Sequence, residues 1–256
     1  MGAVSGRRSS SRCWWTWGTT ADDETELLES AGVTVIRFTY NEPEIFTGEL
    51  EKSGYVFEKE KEAAEFIDWH DDILDSIVDV TSGIDEADRP KVYSEYLERQ
   101  VSVADDKILT AAGGKDIFEG KEGEIDKEAI LDEDPEIIIR TVWGLAAEGG
   151  YGYSVDAGDT AVLEDVRKNI MEERAEFHNV TAVKNGSVYI ITSYVWTYLP
   201  YSGCQSLIGL CYLAEWFHPE LFPDLDPKAV HQEYLTRFQG LDIDLDEKGV
   251  FVYPKE

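Results

Sequence analysis

The sequence has 256 residues, 43% of them hydrophobic, which is room for one or two compact domains with a sizeable core and excludes a disordered chain. Lys and Arg number 23 against 53 Asp and Glu, a formal charge of −30 that repels nucleic acid and anionic membrane and excludes both as partners. The acids are spread along the chain, as on a solvated surface, and are not gathered into one patch.

The first twenty residues break this pattern. They carry Arg7, Arg8 and Arg12 but no acid, crowd Trp14, Trp15 and Trp17 together, and lack the apolar stretch of a signal peptide. Residues 1–20 are therefore expected to be an aberrant, disordered tail. No run of eighteen apolar residues follows, so no membrane span is expected. Asp22 to Ser30 reads as the end of a helix, and Ala31-Gly32 leads into a β-rich run, Val33 to Phe38. Residues 41–56 are mixed, with Gly48 and Gly54 as breakers. From Glu58 to about Val80, apolar or aromatic residues recur at Ala63, Phe66, Ile67, His70, Ile73, Leu74, Ile77 and Val78, the spacing of one helix face. A helix of that length spans ~34 Å and can act as a rigid strut.

Ser82-Gly83 ends that helix, and Pro90 to Tyr96 reads as the next strand. A helix from about Val103 to Ala112 stops at Gly113-Gly114, and a short one covers Ile125 to Leu131. Glu136 to Val142 reads as a buried strand, followed by a Gly-rich loop at 144–158 and a helix at 160–174. A strand at 187–192 runs into an aromatic loop at 193–201, then helices at 200–217 and 227–238. Asp242 to Tyr253 alternates with period two and is expected to form a hairpin. Asp242, Asp244 and Asp246 begin like a calcium loop, but Glu247 and Tyr253 stand where Gly and Glu are required, so that reading fails.

Alternating strands and helices predict an α/β fold with a parallel sheet covered on both faces. Such sheets bind ligands at the carboxyl ends of their strands. Two loops leave carboxyl ends here, 143–158 and 193–201, and between them they hold Trp143, Tyr151, Tyr153, Tyr194, Trp196, Tyr198 and Tyr201. Flat rings offer stacking area to a macrocycle or catecholate, and phenols add hydroxyls. Trp143 and Trp196 are the expected ligand wall, supported by Tyr194 and Tyr198, with Tyr151 and Tyr153 nearby. No catalytic residue and no metal site is expected, because no nucleophile–base pair, cofactor fingerprint or ligand cluster appears. The cysteines are silent on redox compartment: Cys204 and Cys211 are about 10 Å apart along a helix, too far for a disulfide. Asn179-Val180-Thr181 and Asn185-Gly186-Ser187 are formal glycosylation sequons, the second better read as a turn.

Five segments carry a family resemblance in order. They are Gly32-Val33-Thr34-Val35, the run Lys59 to Asp68, Ala111-Ala112-Gly113-Gly114-Lys115-Asp116-Ile117, the run Ile130 to Ile138 around Asp134-Pro135, and Ala182-Val183-Lys184-Asn185-Gly186-Ser187-Val188-Tyr189. Together they resemble the solute-binding proteins of iron-siderophore, haem and cobalamin ABC importers, over about residues 21–240. The resemblance departs at Asp116, where the family has Asn, and in lacking most of an N-terminal lobe, a signal peptide and a lipobox before Val33. It implies an N-terminally truncated member that binds ligand weakly. Its expected parts are a remnant of the N-terminal lobe at 21–57, a long connecting helix at 58–82 and a complete α/β sandwich lobe at 83–256 that binds the ligand. It further implies no intrinsic cofactor, an iron chelate, haem or cobalamin as ligand, and an ABC permease, and through it the ATPase, as partner. A monomer in an extracytoplasmic, membrane-associated place completes the expectation. Glu215, Glu220 and Glu233 are surface acids with no assignable docking role. The alternatives are an acidic α/β enzyme and a stand-alone ligand-sensing lobe.

Overall fold

The structure, a computed structural model, describes residues 20–38, 40, 43–143, 150–196 and 203–254. The chain divides into two units after Phe38. In the first, α1 (Thr20–Ser30) is followed by a left-handed Gly32 (φ 79°) whose N–H donates to Glu29 O at 2.9 Å. The run Val33–Phe38 is irregular rather than a strand, and Val33 and Ile36 are 48% and 54% exposed. A β-rich run becomes a strand only when a neighbour takes up its N–H and C=O groups, and no described strand lies beside this one.

The second unit opens with α2 (Pro43–Phe57), a single helix across a region expected to be broken at Gly48 and Gly54. Packing overrides propensity there. A Cβ on Gly54 would stand 2.8 Å from the Ala63 side chain, so the glycine lets α2 approach α3 (Glu60–Thr81) closely. Phe46 of α2 meets Phe66 of α3 edge-on at 6.4 Å. The long helix is present, starting two residues later than expected, and Trp69 joins its buried stripe beside Phe66, His70 and Ile77. The next elements are β1 (Lys91–Glu95), β2 (Gln100–Val101), α4 (Asp106–Ala111), β3 (Lys115–Asp116), β4 (Gly123–Glu124), α5 (Lys127–Glu133), β5 (Ile137–Val142) and β6 (Gly152–Asp156). They are followed by α6 (Ala161–Lys168), α7 (Thr181–Asn185), β7 (Val188–Thr192), α8 (Ser193–Trp196), α9 (Gly203–Phe217), α10 (Pro227–Glu233), β8 (Lys248–Val250) and β9 (Val252–Tyr253).

The central sheet has the order β3-β1-β5-β7-β9, with β9 alone antiparallel to its neighbour. Its strands alternate strictly between two cores, as the period of two demands. Val92, Ile137, Ile139 and Ile191 face one core with Leu109, the buried side of α3 and nearly the whole of α9. Tyr93, Ile138, Val188 and Ile190 face the other with Ile130, Leu163, Ile170, Phe177 and Val183. Each fully buried isoleucine contributes ~1.5–3 kcal/mol, so this two-sided burial is what holds the sheet between its helices. The expected α/β sandwich with a parallel sheet is the fold found.

Several local expectations change. The Gly-rich loop at 144–158 contains β6, and its residues 144–149 lie outside the described ones. The aromatic loop at 193–201 begins as the helical turn α8, and residues 197–202 lie outside the described ones. Helices expected at 160–174 and 227–238 end early and continue as π-helical turns, Asn169–Glu173 and Tyr234–Phe238. The tail is no hairpin on itself: β8 pairs with β6 and β9 with β7, because those strands present the open edges. Among the described residues no helix is long and apolar enough to cross a membrane.

Candidate functional site

The carboxyl ends of β1, β5 and β7 lie side by side, because Glu95 registers with Arg140 and Val142 with Thr192. What each strand delivers there follows from its last residues. β1 ends in Glu95, a fully buried carboxylate. Burying a charge is costly unless it is paired and hydrogen-bonded. Arg174 Nη1 stands 2.9 Å from Oε1, and the Tyr93 hydroxyl and the Arg99 N–H donate to Oε2 at 3.0 Å and 2.9 Å. Arg140 Nη1 is 3.6 Å from the same carboxylate. Arg99 takes a left-handed backbone (φ 57°) to turn the chain here and reaches Glu124 at 2.9 Å.

Three arginines thus gather around one glutamate in a chain of formal charge −30. Arg140 has the most donor capacity in hand, with Arg99 Nε also unpartnered among the described residues. The Arg140 Nε and Nη1 are buried with no hydrogen-bond partner among the described residues. Burial lowers its pKa, and the Glu95 carboxylate opposes that shift.

β5 ends at Val142 and hands over to Trp143, which is 46% exposed and meets Tyr96 edge-on at 6.4 Å. β7 hands over to α8. There Tyr194 is half-buried, while Val195 and Trp196 turn inward. Trp196 is only 2% exposed, so it offers no ring face to a ligand in this structure. Its indole hydrogen-bonds to Asp105, which also accepts a 2.8 Å bond from Ser94 Oγ of β1. Trp196 therefore ties the ends of β1 and β7 together beneath the rim. Burial pushes Asp105 up to about 7, helped by the nearby Asp116 charge, and pushes Asp116 up to about 6.

The tyrosines form the other flank. Tyr151, just before β6, is buried, and Tyr153 of β6 is half-buried. Tyr194 meets Tyr151 at 6.1 Å and Tyr153 at 5.5 Å, both edge-on. Gly152, at φ 83°, makes this possible: a Cβ there would sit 2.5 Å from the Tyr194 ring. Behind them, the Tyr153 hydroxyl shares a 2.7 Å hydrogen bond with His231 Nε2, and Phe251 packs on Tyr153 at 4.7 Å. Burial pushes the Tyr153 phenol up to about 12 and His231 down to about 4, so both are neutral near pH 7.

The structure therefore brings together Tyr151, Tyr153 and Tyr194, sets Trp143 against Tyr96 past the end of β5, buries Trp196, and leaves Tyr198 and Tyr201 outside the described residues. Sequence reasoning missed Glu95, Arg140, Asp105 and His231. A signal existed for Arg140, a lone charge inside the run Ile137-Ile138-Ile139-Arg140-Thr141-Val142 next to a strand end. Two open grooves lie elsewhere, along α3, lined by acids such as Glu65, Asp68, Asp72 and Glu233 with Arg237 among them. Apolar residues share their lining, Trp69, Ile73 and Val230 in one and Phe57, Phe66 and Phe238 in the other. Among the described residues no group of three His, Cys, Asp or Glu could hold a metal ion.

Comparison with known proteins places this arrangement. The model of a family described as periplasmic binding protein matches residues 15–195. No match was found among curated protein sequences. A TroA-like periplasmic binding protein, FepB from Veillonella parvula, shares 23% identity over 91% of this chain and 69% of its own, with a TM-score of 0.73. The molybdate-binding MolA of Haemophilus influenzae shares 14% identity over 87% and 70%, with a TM-score of 0.63. Helicobacter pylori CeuE, solved with Ni(II) bound, shares 17% identity over 88% and 67%, with a TM-score of 0.61. The chain spans about two thirds of the length of these solved proteins.

Proposed function

We propose, since the chain belongs to the periplasmic binding protein family, that it is the solute-binding component of an ABC importer and carries an iron chelate, haem, cobalamin or a related metal–tetrapyrrole. The family is one of extracytoplasmic solute-binding proteins and not of enzymes. In this reading residues 83–256 are the ligand-binding lobe, 58–82 the connecting helix and 21–57 part of a second lobe. The cargo passes to a permease driven by its ATPase.

One observation carries the choice of cargo. An exposed indole, Trp143, follows directly on the strand that bears Arg140, whose buried Nε and Nη1 lack hydrogen-bond partners among the described residues. Ring faces suit a macrocycle or catecholate, and an arginine fork suits the negative charge such chelates carry. A small oxyanion or a bare cation would have no use for the rings.

The test is a tryptophan-fluorescence titration of the chain with a ferric tris-catecholate, a ferric hydroxamate, haemin and cyanocobalamin, alongside molybdate and Ni(II). Saturable quenching by one of the first four, lost in Trp143→Ala, is the expected result. Saturation by molybdate or Ni(II) alone would overturn the reading.

A further inference from the structure

Four segments far apart in sequence meet in one ring cluster behind the rim. Tyr153 comes from β6, Tyr194 from α8, His231 from α10 and Phe251 from the link between β8 and β9. Most contacts in it are ring on ring, at centroid separations from 4.7 to 6.2 Å. Such contacts are weakly directional and tolerate sliding. The Tyr153–His231 hydrogen bond is directional, and at 2.7 Å in buried surroundings it fixes one position of the phenol.

That fixing matters because β6 is poorly fixed otherwise. Among the described residues its strand pairing is only with β8, at Gly152–Val250 and Asp156–Lys248, and the register shifts between those two points. A strand with an irregular ladder leaves its side chains to decide where it stands. The base on the other side is firm. The Asp226 side chain accepts the Ala229 N–H at 2.9 Å to cap α10, and Gln232 beside His231 is bonded to Ile243 O at 2.8 Å and to Leu245 N–H at 2.9 Å. His231 is 1% exposed, and its Nδ1 is buried without a partner among the described residues. A leucine-sized side chain would remove the unpaired nitrogen but leave the Tyr153 hydroxyl without this partner.

We propose that His231 is a positioning residue: its hydrogen bond to Tyr153 sets where β6 stands against Tyr194 and so fixes the shape of the aromatic wall that the ligand meets. The ligand part of this statement rests on the reading of the rim as a ligand site.

Backbone hydrogen–deuterium exchange of the whole chain tests it in wild type, His231→Leu, His231→Gln and Tyr153→Phe. His231→Leu and Tyr153→Phe should each speed exchange of amides 151–156 at least tenfold, with those of β5 and β7 unchanged. His231→Gln, whose amide reaches the place of Nε2, should return the rates to within threefold of wild type. Uniform acceleration across the sheet, no acceleration, or a His231→Gln protein as loose as His231→Leu would each overturn the proposal. Should His231→Leu fail to fold, Tyr153→Phe, which removes one hydroxyl, decides alone. A parallel titration with a ferric tris-catecholate separates the two ideas. Wild-type binding weakened tenfold in His231→Leu and restored in His231→Gln supports the full statement. Unchanged affinity with a loosened β6 removes β6 from the ligand wall. Absence of wild-type binding to any chelate counts against the cargo reading, while the exchange rates still decide whether His231 positions β6.

Discussion

The two ends of the rim are built on opposite principles. At the β1 end, position is set by charge: one buried glutamate, the arginines around it and a buried carboxyl, Asp105, bonded to Ser94 and Trp196. At the β7 end, position is set by rings, with Tyr151, Tyr153, Tyr194 and Phe251 leaning edge-on into one another and one neutral hydrogen bond behind them. Charge gives a single allowed geometry and fails abruptly when one partner is lost. Ring packing gives a range of near-equal geometries and degrades by degrees. The contrast suggests that the β1 end is a fixed anvil and the β7 end the adjustable jaw, whose play is limited by His231.

The largest break in this comparison should come from the charged end. Arg174→Met leaves Glu95 fully buried with its closest cation gone, and a broken buried pair costs ~3–5 kcal/mol. Urea unfolding monitored by circular dichroism measures it. Adding Glu95→Gln should restore much of the loss, because the uncompensated charge and not the missing packing is the cause. A double variant no more stable than Arg174→Met would show that the arginine acts by filling space.

Acid should then push the two ends in opposite directions. Burial holds His231 near 4, below its ordinary 6.5, so between those values the unfolded chain binds protons that the folded one refuses. Stability from the ring end is therefore present above about 6.5 and lost as pH falls toward about 4, by up to ~3 kcal/mol. Asp105 is held up at about 7 against 3.8, so the folded chain keeps a proton that the unfolded one releases. Its contribution is fully present below about 3.8 and lost as pH rises from there to about 7, by up to ~4 kcal/mol. The two windows overlap and largely offset each other in wild type, so between pH 4.5 and 7 unfolding free energy should fall with acid in Asp105→Asn and rise with acid in His231→Gln. Parallel profiles for both variants and wild type would remove the opposition.

The sequence was a better guide to one kind of information than the other. Periodicity located α3, which buries one regular face, while continuous apolar runs located β5, β7 and α9, and the sheet class followed from the alternation of strands and helices. The rim aromatics were legible for the same reason: they directly follow strands that are easy to read. What stayed hidden depends on contacts between distant segments. Glu95 and Arg174 are 79 positions apart, as Tyr153 and His231 are 78, and nothing local marks either pair. Gly54 read as a breaker because its partner Ala63 lies on the next helix. Val33–Phe38 read as a strand because propensity says nothing about whether a neighbour is present to pair. Trp196 and Trp143 looked alike as loop aromatics. The short helical turn α8 is what turns the first inward, and a four-residue turn has too little periodicity to be seen.

A smaller effect should sharpen the picture of the jaw. Gly152→Ala places a methyl where the Tyr194 ring stands, at 2.5 Å, on a backbone with φ 83°. Overpacking of this kind costs ~1–3 kcal/mol. Because the jaw is made of rings with room to shift, the cost is expected near the lower end and confined to β6 and α8. Exchange of amides 151–156 together with tyrosine near-ultraviolet dichroism reports it. A loss as large as that of Arg174→Met would mean that the ring end is as rigid as the charged one.

The smallest effect on stability is expected where the two ends meet. Trp143 follows β5, between the charged end and the rings, and touches Tyr96 at its edge while 46% of its surface stays exposed. An exposed side chain of this kind fills little core, so Trp143→Ala should change unfolding free energy by only ~0.5 kcal/mol. Trp143 is the most exposed of the described rim aromatics, and a central aromatic anchor is worth ~1–3 kcal/mol of binding. For a chelate that quenches wild-type fluorescence, the variant should therefore lose roughly tenfold or more in affinity while its melting curve stays in place. Trp196 gives the control in the opposite sense. Its substitution by alanine hollows the core beneath the rim and releases Asp105, so stability must fall along with any binding. If Trp143→Ala instead destabilised the chain and left binding untouched, the indole would be packing for the Tyr96 turn, and the ligand would have to meet the rim from the tyrosine side.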